Sequence, residues 1–296
     1  MILTEKDTLS NRYIRRQINT YKKKKAALVN STKPIKGVKS RKLFNTLLNI
    51  VLKIKSFIVG LKYEFIKKTN VKEQDTAVIY AITHIGKYDL EMIWEACKMF
   101  GYVFAGDWEL MYATVDDYFM RAKGVIWVDT SDKEDRKNSY KFMVKALKQG
   151  IPVIIFPEGI WNLTENLPMM KLFPGAVQAA KEASVPIIPI AIEQRGKQFT
   201  LNMGEELYFD DIEETKAVEI LRDTMATLKW GIWENYGLEK RADIPCGYYE
   251  AFLNERFAEC KGVDMELINS RMYRDKDDRE YIAVMIDIKK LKENKI

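Results

Sequence analysis

One histidine occurs in the sequence, His84, and five residues after it stands Asp89. A carboxylate at that separation, across a short turn, can accept the imidazole N–H, fix the ring tautomer and leave the other nitrogen as a base near neutral pH. Such a dyad can take a proton from a hydroxyl. The same two residues admit a simpler reading, a surface histidine in a loop followed by an aspartate that caps the next helix. Two further carboxylates end apolar runs, Asp129 after Gly124-Val-Ile-Trp-Val128 and Glu158 after Ile151-Pro-Val-Ile-Ile-Phe156-Pro157. The three cysteines, at 97, 246 and 260, form no CxxC pair. With one histidine they predict no zinc site, and their spacing suits a reducing setting.

The elements around these residues alternate. Ala77 to Thr83 is an apolar, β-branched run, Gly86 lies in the turn, and Leu90, Met92, Ile93, Trp94, Ala96 and Cys97 have helical spacing. Strand 77–83 and helix 89–100 are therefore expected, then a short apolar run at 101–105. Residues 107–122, rich in aromatics and Met, read as a helix packed on the sheet or lining an apolar channel. A strand at 124–128, a helix at 134–148, a strand at 151–156, a helix at 175–183 and a strand at 185–192 follow. Such alternation predicts an α/β fold, a mostly parallel central sheet covered by helices on both faces. Functional groups should gather at strand C-terminal ends, where His84, Asp129 and Glu158 all fall.

Charge divides the chain. Residues 1–72 hold 19 lysines and arginines against three acids, a balance of +16, while the whole chain carries +6, which leaves −10 for the rest. A basic segment on an acidic body points to a polyanionic surface as partner. Residues 1–42 read as a solvated arm with one helix before Pro34. Residues 43–61 have helical period, with a narrow polar stripe of Asn45, Asn49, Lys53, Ser56 and Gly60. Lysines near the middle argue against a membrane span and for a helix in the headgroup plane. Anionic lipid would attract the preceding arm by about 1 kcal/mol per well-placed basic residue. A core helix is the other reading of 43–61. Nucleic acid is not expected, since no aromatic residues interleave with base-contacting side chains. No signal-peptide pattern is expected at the start. The division predicted is 1–72, basic arm and amphipathic helix; 73–210, α/β core; 211–296, a helical extension in which helix 211–235 comes first and no chemistry is recognisable.

Four motifs in order across residues 75–195 resemble the glycerolipid acyltransferase family, which includes the lysophosphatidic acid acyltransferases. They are His84-Ile-Gly-Lys-Tyr-Asp89, Gly124-Val-Ile-Trp-Val-Asp129, Phe156-Pro157-Glu158-Gly159 and Val185-Pro186-Ile187-Ile188-Pro189, and Lys171-Leu-Phe-Pro-Gly-Ala176 resembles the segment between the last two. The resemblance implies transfer of a fatty acyl group to the hydroxyl of a lysophospholipid such as 1-acyl-glycerol-3-phosphate. Acyl-CoA or acyl-carrier protein would be the donor, with no metal or prosthetic group. His84 would be the general base, Asp89 its orienter, and Glu158 and Gly159 would help bind the acceptor. No acyl-enzyme is implied, so Cys97 is expected in the core. Two departures stand out: relatives that bind a phosphorylated acceptor commonly carry Arg where this chain has Thr130 and Trp161. Arginine's planar fork suits phosphate. Lys123, Lys171, Arg121 and Arg136 are the substitutes on offer, and an acyl transfer to a non-phosphate lipid or amine stays open, as does a non-catalytic lipid-binding relative. The expected partners are an anionic membrane surface and a lysolipid, at the cytoplasmic face as a peripheral protein.

Overall fold

The computed structural model describes residues 5–69, 77–86, 88–106, 108–162, 167–236 and 251. Seven strands form one sheet in the order β1-β7-β6-β2-β5-β3-β4. They are β1 (Lys62–Lys67), β2 (Ile79–Ile82), β3 (Tyr102–Ala105), β4 (Val125–Trp127), β5 (Val153–Ile155), β6 (Ile187–Arg195) and β7 (Gln198–Met203). All neighbours pair parallel except β6 and β7, which form an antiparallel hairpin across Gly196. The expected mostly parallel α/β sheet is therefore present. The strands β1 and β7 are additions to it, and β1 carries the sheet into residues assigned above to the basic arm.

Burial follows the strand pleat. Ile79, Ala81, Val153 and Ile155 turn to one face, against α6 (Lys133–Lys148), α7 (Gly175–Ala183) and α8 (Glu214–Tyr236). Val78, Tyr80, Ile82 and Ile154 turn to the other, against α2 (Val38–Val59) and α3 (Asp89–Cys97). Buried on both faces, these strands read as unbroken apolar runs. The helix expected over 107–122 is two pieces, α4 (Trp108–Met111) and α5 (Val115–Lys123), broken where Ala113 takes φ +60°. Thr114 then caps α5 by accepting the Asp117 N–H.

The N-terminal segment differs from the expected solvated arm. Its helix α1 (Glu5–Val29) lies against α6 and the exposed edge of β4. The Tyr21 hydroxyl donates to the Val125 carbonyl and accepts the Trp127 N–H at 3.1 Å, and Lys25 Nζ donates to the Trp127 carbonyl at 2.6 Å. An unpaired strand edge is thus covered by side chains of a helix. Lys25 is buried and pairs with Asp135 at 2.9 Å, and Lys22 pairs with Asp129 and Asp132. Part of the basic run is consumed inside the protein. The carboxylates that consume it, Asp129, Asp132 and Asp135, lie just beyond β4.

Helix α2 spans the stretch expected to be amphipathic. Its buried residues are Asn45, Leu48, Leu52 and Ser56, so much of the narrow polar stripe faces the protein, where Ser56 hydrogen-bonds Glu95. Leu43, Leu47, Ile50, Val51, Ile54, Phe57 and Ile58 are all exposed. No helix among the described residues is long and apolar enough to cross a membrane. The helix expected at 211–235 is α8, and the further helical runs expected over 245–296 lie outside the described residues, apart from residue 251.

Candidate active site

β2 and β5 are adjacent parallel strands, so the segments leaving their C-terminal ends, beginning at 83 and at 156, lie side by side. Asp89 is the first residue of α3, with Tyr88 at the cap position, so its carboxylate does not serve as the cap. It turns back instead. Asp89 Oδ2 lies 2.7 Å from His84 Nδ1 and accepts the N–H groups of Ile85 at 2.7 Å and Gly86 at 3.1 Å. One oxygen therefore ties the ring to the turn that carries it. Asp89 is buried, whereas the His84 side chain keeps 23% of its surface. With Nδ1 engaged, Nε2 has no partner among the described residues, the state required of a base.

The imidazole is held flat as well as tied. It stacks on Phe156 with centroids 4.1 Å apart, and the Trp161 ring meets it edge-on at 5.7 Å. The Asn162 N–H donates to the His84 carbonyl at 2.6 Å. Phe156 was visible in the third motif, but its role as a shelf for the ring was not, because stacking depends on how two strands register.

Glu158 is 3% exposed, and both its oxygens are occupied. Oε1 accepts the His84 N–H at 3.3 Å and Oε2 the Met170 N–H at 2.9 Å. Burial pushes its carboxyl up to about 7, against the pull of those two N–H groups and of Lys229, with Asp89 pushing the same way as burial. The acceptor-binding role expected for Glu158 thus meets a carboxylate that clamps the His84 turn to the 167–174 segment. Gly159 closes the β5 turn at φ +70°, and a Cβ there would lie 2.6 Å from the Phe173 ring. Only glycine fits that approach. Gly159 itself is exposed beside Glu158.

The cationic residues expected around the acceptor divide. Lys123 is a correction: it is fully buried, with Nζ 3.9 Å from the centroid of the Trp94 ring, and burial lowers its amine to about 6. A lysine with no exposed surface is out of reach of a phosphate headgroup. Arg121 pairs with Asp117, and Arg136 donates to the Thr130 carbonyl. Lys171 is exposed on the segment clamped by Glu158. Asp129 does not join His84 and Glu158. It lies two residues past the end of β4, two strands beyond β5 in the sheet order. Although burial opposes it, hydrogen bonds from Lys22 and Ser131 hold its carboxyl down at about 2. Burial pushes the Cys97 thiol up to about 12, which makes it inert packing rather than a nucleophile.

The arrangement suits deprotonation of a hydroxyl by a neutral imidazole with a fixed tautomer. A family model described as Acyltransferase matches residues 62–193. An uncharacterized acyltransferase of Schizosaccharomyces pombe is 26% identical over 160 residues, covering 51% of this chain and 56% of the relative. The chain thus spans about half the length of the curated relative it matches. The crystal structure of the 1-acyl-sn-glycerophosphate (LPA) acyltransferase PlsC from Thermotoga maritima superposes with a TM-score of 0.55 at 15% identity, over 76% of this chain and 90% of that one. That likeness is one of fold.

Proposed function

We propose that the α/β core of this chain, matched over residues 62–193 by the Acyltransferase family model, is of the glycerolipid acyltransferase type and acylates a lysophospholipid hydroxyl at an anionic membrane surface, from acyl-CoA or acyl-carrier protein. His84 Nε2 takes the hydroxyl proton as the oxygen attacks the thioester carbonyl. The tetrahedral intermediate collapses, its C–S bond breaks, and the thiolate leaves with the proton returned by His84. Asp89 holds the ring and stabilises the imidazolium formed between the two steps. Backbone N–H groups near Phe156 to Gly159 would receive the oxyanion. The observation that carries this reading is the 2.7 Å contact from Asp89 to a ring whose other nitrogen is unengaged.

The exposed apolar face of α2 supports a peripheral position on the cytoplasmic face of the membrane, with lysines of the N-terminal segment meeting anionic headgroups. One observation favours a second reading of the acceptor. Trp161 packs against His84 where relatives that bind a phosphorylated acceptor commonly carry an arginine, and Lys123 is withdrawn into the core, so a non-phosphate lipid or amine fits these surroundings. Purified protein assayed with acyl-CoA and acyl-carrier protein against lysophosphatidic acid, lysophosphatidylcholine and lysophosphatidylethanolamine separates these. Transfer that disappears in His84→Ala supports the base. Equal transfer by His84→Ala sinks it, and preference for a zwitterionic acceptor selects the second reading.

A further inference from the structure

Helix α8 lies outside the matched region, yet one of its residues reaches the site. Its inward stripe is Ala217, Leu221, Met225, Lys229 and Ile232, apolar but for one lysine. Burying an ammonium is expensive unless it is paired and hydrogen-bonded. Lys229 Nζ lies 2.6 Å from Glu193 Oε2 and donates to the Ile192 carbonyl at 2.6 Å. Trp233 Nε1 donates to the same Glu193 oxygen at 2.9 Å. Both residues of β6 are thus held from α8.

The Ile192 carbonyl has a second donor. The Thr83 hydroxyl reaches it at 3.3 Å while accepting the Ile192 N–H at 3.0 Å. Thr83 immediately precedes His84, whose own N–H donates to Glu158. A continuous path of hydrogen bonds therefore runs from Lys229 through Ile192 and Thr83 to the turn that carries the imidazole. We propose that Lys229 is a positioning residue of the acyl-transfer site, holding the end of β6 against Thr83 so that the His84 turn keeps its place. The inference rests on the acyl-transfer reading above.

The charges around the site fit that role. Glu158 is faced by the His84 turn and Asp89 on one side, by the Met170 N–H on another, and by the Lys229 cation from α8, which is itself faced by Glu193 from β6. Removing the cation should let Glu158 hold its proton to higher pH. The test compares Lys229→Met, Lys229→Arg and Thr83→Val with the unaltered protein in thermal melts, in kcat and acceptor KM, and in the imidazole resonance of its one histidine. That resonance is read against pH without substrate.

Lys229→Met should lower kcat at least about tenfold and change KM less than about threefold, and Lys229→Arg should restore kcat to within about threefold. The inflection in the imidazole resonance that Glu158→Gln abolishes should move up by about half a pH unit in Lys229→Met, a threefold change in ionisation constant. A folded Lys229→Met with unchanged kcat and an unmoved inflection overturns the proposal, as does a loss that Lys229→Arg does not repair. Should Lys229→Met fail to fold, Thr83→Val decides, because it removes only the hydroxyl: unchanged kcat overturns the proposal and a tenfold loss upholds it. An inactive His84→Ala beside a fully active Lys229→Met removes the role of Lys229 alone. An active His84→Ala removes the acyl-transfer base itself.

Discussion

Asp89→Asn isolates the charge of the dyad from its geometry. The carbonyl oxygen of asparagine can occupy the place of Oδ2 and still accept from His84 Nδ1, Ile85 and Gly86, so the turn keeps its hydrogen bonds. What is lost is the attraction between a carboxylate and the imidazolium that forms when the hydroxyl proton arrives. For charge centres about 4 Å apart in surroundings of effective dielectric about 20, that attraction is about 4 kcal/mol. At about 1.4 kcal/mol per decade, the barrier should rise by enough to slow kcat about 100- to 1000-fold. The expected change in melting temperature is small, since a carboxylate near a helix N-terminus contributes about 0.3–1 kcal/mol. Steady-state kinetics with saturating donor and lysolipid, beside a thermal melt, measure both. A variant that melts several degrees lower but keeps kcat within threefold would refute the dyad and leave Asp89 a structural residue of its turn.

Replacing Phe57 and Ile58 of α2 by Asp should weaken sedimentation with anionic vesicles at least about tenfold, since each large apolar side chain contributes about 1.5–3 kcal/mol when removed from water; unchanged sedimentation would reject docking through this face. Lys25→Met leaves Asp135 buried without its cation and should destabilise the fold by about 3–5 kcal/mol, read in urea melts, while adding Asp135→Asn should recover part of that loss. Glu158 binds its proton more tightly folded than unfolded, at about 7 against 4.5. Its contribution is fully present below pH 4.5 and is lost as pH rises through 7, by as much as about 3 kcal/mol. Glu158→Gln should flatten that part of the stability profile between pH 5 and pH 8, and an identical slope in the variant would contradict the assignment.

The dyad was legible because it is local: five residues and one turn bring the two groups together whatever the rest of the chain does. The strands β2, β5 and β6 were legible because burial on both faces leaves continuous apolar runs. The strand β7 had a signal too, alternation in Gln198 to Met203 after Arg195-Gly196-Lys197, but an antiparallel hairpin breaks the βα rhythm that organised the reading. The docking of α1 had no local signal. Lys22 and Lys25 find their carboxylates more than one hundred residues along the chain, and nothing near them distinguishes them from Lys23 and Lys24. Lys123 misled for a related reason. A lysine beside a basic, exposed neighbour reads as surface charge, whereas the end of α5 points it across the Trp94 ring. Lys229 did have a signal, a cation spaced four residues from Met225 on an apolar stripe.

The position of α2 links two parts of the proposal that the sequence presented separately. Lys55 pairs with Glu91 at 2.5 Å and lies over the Tyr88 ring, and Ser56 binds Glu95, so α2 rests on the same helix whose first residue is Asp89. Ile54 and Phe57, immediately beside those contacts, face outward. Under the proposed docking, the helix that meets lipid is the one that braces the helix holding the histidine. A lysolipid has its hydroxyl at the depth of the headgroups and its acyl chain below. On that proposal, a base supported from the docking helix would meet that hydroxyl without drawing the substrate out of the bilayer, a transfer that would cost about 0.8 kcal/mol per methylene exposed to water. On the proposed function, the acceptor would then arrive laterally within the membrane and the soluble donor from water.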